Sequence, residues 1–375
     1  MNRTNKLDYL GHLAFVAVIL LGVPAALGFD GFELNTFARY LSLAIVAAAL
    51  ALSWGTAGIL NLGQAATFGI GAYIMAMHLK LKASAGNPGG LPDFMGWNNV
   101  DSLPWFWTIF HSLPVTLIAG LAVPALVAGV MGIFMFRARI TGVFVAIITL
   151  AFLVAVQLVF IEEQRFTGGQ NGLTGLAPLT LFGWTVDTYS LSFYYLVAGC
   201  LIAALVVGML VVRSKVGLIL RAIREDNMRV RYFGYDVARY ETFVFCLSAA
   251  IAGWAGMLYA LVLEFASPTY IGVAFSLAIV IWVAVGGRES LFGAASGAIL
   301  VNMAEGRLSD MFVESWLLML GILFILFVLF LPRGLFGLVD ATARRLMRSL
   351  RGAKPAPRPA ARTETAAMPA QEATQ

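Results

Sequence analysis

Forty consecutive residues, Tyr40 to Leu79, contain no Asp, Glu, Lys or Arg. No other feature constrains the fold as tightly, because a water-facing segment of that length needs charge to cover its surface. The run is divided by Trp54-Gly55-Thr56-Ala57-Gly58, which leaves two apolar stretches, Tyr40 to Ser53 and Gln64 to Leu79. Comparable stretches are Leu10 to Phe29, Ser112 to Phe136, Gly142 to Ile161, Leu191 to Val212, Thr242 to Leu263, Val273 to Val285, Leu291 to Met303 and Ser315 to Leu331. A helix of roughly 20 apolar residues crosses about 30 Å of hydrocarbon. The pattern therefore predicts an all-α, polytopic integral membrane protein with about ten transmembrane helices, some of them short. Composition agrees: 60% of residues are hydrophobic and 12% charged, against roughly 45–50% and about 25% in soluble domains. A soluble enzyme is excluded.

Ten spans fix which loops share a side, and both ends of the chain then lie together. That side carries twenty of the Lys and Arg residues and the other side five, the bias expected of a cytoplasmic face. Both termini are thus predicted to be cytoplasmic. The same bias accounts for the formal charge of +5 without nucleic acid as a partner. The first span is long for a secretory signal, and its removal would invert the charge bias, so it is read as retained. The transmembrane domain is assigned to 1–339. Beyond it, 340–375 is basic and then Ala- and Pro-rich, the composition of a disordered cytoplasmic tail.

What the stretches lack is also informative. On these boundaries no carboxylate or amine falls at the middle of a span; Glu162, Glu163, Glu264 and Glu305 fall at edges. Ion-coupled carriers place ionisable groups at membrane depth, so coupling to an ion gradient is not expected. None of the five lysines follows a glycine, which excludes the usual phosphate-cradling loop. His12, His78 and His111 are too scattered for a metal centre, and Cys200 and Cys246 sit singly in apolar runs. No catalytic residues and no metal ligands are assigned, and the chain is not read as an enzyme.

The cytoplasmic loop 213–240 alternates apolar and charged residues at helical spacing. Leu220 and Ile223 share one stripe, whereas Arg221, Arg224 and Glu225 face elsewhere. Glu225 and Arg229 have the spacing of a favourable pair, and Gly217 and Gly234 are expected to bracket the helix. Such a helix either lies on lipid headgroups or docks in a groove of another protein.

The segment "VGLILRAIREDNMRVRYFGYDVARYETFVFCLSAAIAGWAGMLYA" resembles the cytoplasmic loop and following span of permease subunits from ATP-binding-cassette importers of the branched-chain amino acid type. "GTAGILNLGQAATFGIGAYIMA" at Gly55, "RFTGGQNGLTGL" at Arg165 and "LPRGLFGL" at Leu331 extend the resemblance to about Val339. Within the family, "MAMHLKL", "PDFMGWNNV", "LPWFW" and "TGGQNGLTG" look most like the larger permease of the urea-importer branch. The resemblance implies a bacterial cytoplasmic (inner) membrane protein that passes urea, or else a branched-chain amino acid or other small amide. It implies that Leu220, Arg221, Ala222, Ile223, Arg224, Glu225, Asp226 and Gly234 belong to a coupling helix seated on an ATPase. It also implies a second permease subunit, two ATP-binding subunits and an extracytoplasmic solute-binding protein as partners. ATP is then hydrolysed by the partners, with no cofactor in this chain.

Polar residues beside an interrupted helix are where a solute would meet such a chain. Asn61, Gln64 and Thr67 follow the Gly55 to Gly58 break at spacings of three, on one face if the helix continues. The competing reading is that Asn61 and Gln64 only satisfy backbone freed by the break. Ser276 and Asn302 read as interhelical hydrogen bonds. "TFGIGA" at Thr67 and "LFGAASGA" at Leu291 suggest a decayed repeat. Of the external loops, 80–111 and 162–190, the second has strong turn signals and either receives a solute-binding protein or simply caps the spans.

Overall fold

The computed structural model describes residues 11–181 and 183–311, together with 321, 322 and 334. Eleven helices carry the architecture: α1 (Gly11–Ala26), α2 (Gly31–Ala57), α3 (Gln64–Ala83), α4 (Leu113–Arg137), α5 (Val143–Glu162), α6 (Leu191–Arg213), α7 (Lys215–Glu225), α8 (Asn227–Tyr232), α9 (Val237–Leu263), α10 (Val273–Gly286) and α11 (Leu291–Met311). A two-residue hairpin, Thr180–Leu181 against Trp184–Thr185, lies in one connecting loop. Nine of the ten apolar stretches coincide with helices, and the all-α reading holds. Five helices, α2, α4, α5, α6 and α9, are individually long and apolar enough to cross a bilayer. The pair α10 and α11, bent by 116°, adds a sixth if it forms one span. The tenth stretch, Ser315 to Leu331, and the tail 340–375 lie outside the described residues.

Helices apolar on every side belong either inside protein or against lipid, and burial separates the two. The apolar window of α2 is 94% buried and that of α9 72%, whereas α4, α5 and α6 bury 28%, 22% and 28%. Phe134, Phe144 and Leu210 on those outer helices point away from the protein. The centre is therefore α2, α3 and α9, with α11 against α2. Small residues permit this packing. A methyl group on Gly71 of α3 would fall on the Gly253 carbonyl of α9, and one on Gly256 would fall on the Phe68 carbonyl. Close backbone approach of this kind substitutes dispersion contact for the hydrophobic drive that lipid removes.

Two helices run further than their apolar cores. At the start of α2 the Asp30 carboxylate accepts hydrogen bonds from the Phe32 and Glu33 amides at 2.8 and 3.3 Å, a cap worth about 1 kcal/mol. Arg39 therefore sits inside α2, about 12 Å from its first residue at 1.5 Å per residue. Likewise α11 continues past Met303, which places Glu305 inside it, about 9 Å short of its end. Both helices thus extend beyond their apolar stretches and carry these two charges in their outer parts.

Loops gather at the two ends of the bundle. Lys80 at the end of α3 bonds Asp93 Oδ2 at 3.2 Å and the Thr174 carbonyl at 3.0 Å, and Lys82 bonds Thr180 at 2.6 Å. The loops 80–111 and 162–190 thus share one face, called outer here. Arg224 in the loop 213–240 meets Gly55 and Glu289 on the opposite, inner face. His12 stacks on Phe292 at 3.9 Å, which brings the start of α1 to the inner end of α11.

Two central elements are interrupted within this frame. After Gly58, residues 58–63 turn back into the bundle and α3 begins at Gln64. After α9 the chain re-enters through Leu173–Ala266 pairing and a short turn at Pro268–Ile271, then continues as α10. The first break opens toward the inner face and the second toward the outer. "LFGAASGA" follows the Gly286–Gly287 turn, also at the inner face, as "TFGIGA" follows the first break.

Candidate functional site

The first break is held by polar groups that the protein saturates itself. Asn61 Nδ2 donates to Gln64 Oε1 at 2.8 Å, and Asn61 Oδ1 accepts from the Gly63 amide at 2.9 Å. Gln64 Nε2 donates to the Ser248 carbonyl and hydroxyl, both at 3.2 Å, and Ser248 Oγ donates to the Ala49 carbonyl at 2.6 Å. Thr67 Oγ1 donates to the Gln64 carbonyl at 2.8 Å. All three predicted residues are brought together and buried. Asn61 precedes the helix instead of extending its face, because the break runs to Gly63. Ser248 contacts place Gln64 about 16 Å along α9 from its inner end, deep inside the bundle.

Thr149 and Ser276 complete the cradle. Thr149 Oγ1 accepts from the Leu62 amide at 3.1 Å, and Ser276 Oγ donates to the Leu62 carbonyl. The amide and carbonyl of Leu62, freed by the missing helix, are thereby satisfied at a depth without water. Ser276 joins the second interrupted element to the first. Asn302 bonds the Ala298 carbonyl of its own helix at 2.8 Å, not a neighbouring helix.

On the inner face, α7 starts at Ser214, whose hydroxyl accepts from the Gly217 amide at 3.4 Å, so Gly217 lies inside the first turn. Leu220 and Ile223 are buried against the bundle, as their stripe predicts. The helix stops at Glu225. Asp226 turns extended and caps α8 by accepting from the Arg229 amide at 3.1 Å, while its carboxylate pairs with the Arg229 guanidinium at 2.7 Å. Arg229 therefore pairs with Asp226 and not with Glu225, since the break ends the helical spacing. Gly234, at φ 85°, closes the α8 turn.

Arg224 points inward from this loop. Its Nη1 donates to the Gly55 carbonyl and its Nη2 to Glu289 Oε1 at 2.8 Å. Gly55 lies three residues before the first break, and Glu289 lies in the turn between α10 and α11. Arg288 in the same turn sits 5.5 Å over the Trp54 ring. Arg221 donates back to the Val212 carbonyl at 3.3 Å. Ala222, Arg221 and Glu225 are exposed. With them is an apolar surface that helical spacing alone did not single out: Leu218 is 64% exposed, Tyr232 85% and Phe233 81%. Its sequence signal is the adjacent aromatic pair Tyr232-Phe233 among charges.

The family described as "Branched-chain amino acid transport system / permease component" matches residues 33–328. The high-affinity branched-chain amino acid transport system permease protein LivM of Escherichia coli (strain K12) is 33% identical over 309 residues, covering 75% of this chain and 64% of the relative. LivM of Salmonella typhimurium is 32% identical over 308 residues with the same coverage. The ribose import permease protein RbsC of Haemophilus influenzae is 21% identical over 218 residues, 56% of this chain and 63% of the relative. The chain thus spans somewhat under two thirds of the length of these relatives. No solved structure matches. With most of its length inside the family match, the multi-pass protein described here belongs to the family of branched-chain amino acid transport system permease components.

Proposed function

We propose that the chain is the membrane-spanning permease of an ATP-driven importer of small amino acids with apolar side chains, working with a second permease, two ATP-binding subunits and an extracytoplasmic solute-binding protein. The observation that carries this reading is Arg224. One guanidinium ties α7 both to the end of α2 and to the α10–α11 turn, so displacement of α7 moves the inner ends of both interrupted elements together. A pushed helix does work only if its contacts differ between two states, and these are contacts that a docked ATPase would load or release. The exposed Leu218, Tyr232 and Phe233 surface, rimmed by Arg221 and Glu225, supports docking on protein over lying on lipid. Asn61, Gln64 and Thr67 form the wall of the solute route and hold its bend, with Ser248 and Thr149 behind them.

The names of the LivM relatives support an amino acid as the solute. The urea reading of the sequence rested on the resemblance of four segments to the urea-importer branch, and the names of these relatives do not include urea. The experiment is reconstitution with the partner subunits in liposomes and measurement of leucine and urea entry with and without ATP. Leucine entry that requires ATP and partners is expected. Urea entry without leucine entry overturns the solute, and flux through the chain alone overturns the ATP-driven mechanism. Replacing Tyr232 and Phe233 by serine is expected to lower ATPase recovery with the permease several-fold while leaving its membrane level unchanged.

A further inference from the structure

Among the described residues, a charged pair in the outer half of the bundle is not closed by an ion pair. Arg39 on α2 and Glu305 on α11 are half-buried, and the two helices pack so closely that the Tyr40 hydroxyl abuts Gly306. The Arg39 guanidinium lies 5.3 Å over the Tyr40 ring, and one turn earlier on α2 Asn35 Nδ2 donates to the Val262 carbonyl at 3.3 Å, which sets this stretch of α2 beside the turn of α9 that carries Tyr259. Among the described residues, neither charged side chain makes a hydrogen bond or ion pair. Taking charges out of water is costly unless they are compensated. A pair kept for structure would be expected to close on itself, since opposite charges are the cheapest compensation available there.

Two further observations point to a ligand. The Tyr73 hydroxyl, on a side chain 1% exposed, has no hydrogen-bond partner among the described residues, and one turn earlier on α3 Gly69 packs directly against Ile271, the neighbour of Tyr270. An unmatched hydroxyl in a buried setting is rare and asks for an acceptor. Beside it stands an aromatic wall: Tyr259 meets Tyr270 edge-on at 5.0 Å, and Phe275 lies 6.2 Å from Tyr270 and 5.0 Å from Phe68. One positive group, one negative group and an apolar wall, at the entrance end of the second break, match an α-amino acid. Its carboxylate needs a cation, its ammonium an anion, and its aliphatic side chain a dry surface. A neutral amide would gain nothing from the two charges.

We propose that Arg39 and Glu305 bind the zwitterion of an apolar amino acid on the outer side of the route, Arg39 taking the carboxylate and Glu305 the ammonium, with Tyr259, Tyr270 and Phe275 receiving the side chain. This rests on the permease reading above and names a solute site that the reading leaves open. In cells expressing the full transporter and lacking other leucine uptake, Arg39→Gln and Glu305→Gln are each expected to lower leucine entry about tenfold to a hundredfold, the effect of losing hydrogen bonds to a charged group. Membrane level and ATPase recovery should match the unaltered protein, and Arg39→Lys should retain more entry than Arg39→Gln. In purified transporter, Glu305→Gln should improve competition by isocaproate, which lacks the ammonium, relative to leucine. Entry within twofold of normal in both neutral variants overturns the site while leaving the permease reading intact. Restoration by the reversed pair Arg39→Glu with Glu305→Arg also overturns it, because the charges would then serve only each other. Urea entry without leucine entry in the unaltered protein overturns the solute reading itself.

Discussion

Replacing Arg224 by methionine removes both inward contacts of α7 while keeping an apolar stem against Gly58. The Gly55 carbonyl is a partly buried acceptor that loses a charge-assisted bond, worth about 1.5–3 kcal/mol. Glu289 is 71% exposed and the Arg224 side chain 27%, so that pair contributes no more than about 1 kcal/mol. Together the loss is about 1.5–4 kcal/mol in the balance between seated and unseated α7. At about 1.4 kcal/mol per factor of ten, this is a change of roughly tenfold to several hundredfold. The informative assay is the ratio of solute imported to ATP hydrolysed in the reconstituted complex. Arg224→Met should lower that ratio at least tenfold while the partner ATPase still turns over, because docking residues on the outer surface of the loop are untouched. Glu289→Gln should change it less than threefold. A normal ratio in Arg224→Met, or equal damage from Glu289→Gln, would refute the argument that the bond to Gly55 carries the motion.

The Gln64 network predicts that Gln64→Ala, which strands the buried Asn61 amide and Ser248, costs about 1–3 kcal/mol, seen as a lower unfolding temperature in detergent. Gly256→Leu should prevent the α3–α9 crossing altogether, since overpacking of this severity exceeds the usual 1–3 kcal/mol; loss of folded protein on size exclusion is the readout. On the outer face, the hydrogen bond from Lys80, and then that from Asn87, hold the Asp93 carboxyl below its usual range. A depressed carboxylate stabilises above its unfolded value and loses that contribution as pH falls through its folded one. Protease protection of the loop 80–111 should therefore persist through the ordinary carboxylate range and fail below it, and Asp93→Asn should abolish that step.

Burial of Leu220 and Ile223 was legible because i, i+3 spacing survives any tertiary context. The supposed Glu225–Arg229 pair was not, because the interruption at Asp226 is created by a cap and not by a glycine or proline. The full lengths of α2 and α11 were hidden by Arg39 and Glu305: a search for charge-free stretches ends at a charge, even where the helix accommodates it. Which spans face protein and which face lipid was not read from the sequence, although a signal is there: the buried α2 and α9 have mean hydropathies of 1.7 and 1.9, against 2.3, 2.8 and 2.7 for α4, α5 and α6. Asn61, Gln64 and Thr67 stood out as polar residues beside a break and Ser276 as an interhelical bond, yet Thr149 and Ser248 looked like ordinary small residues in apolar runs and the partner of Ser276 could not be named. Their role depends on contacts 87, 184 and 214 positions distant in sequence.

The bond from Ser276 to Leu62 has a consequence for how a cycle could proceed. One half-length element begins near the inner side and climbs; the other begins near the outer side and descends; they touch at that bond. A shift in either is felt by its opposite number at once, so an opening at one mouth and a closing at the other need not be separately timed. A single shared hinge pin makes them one event.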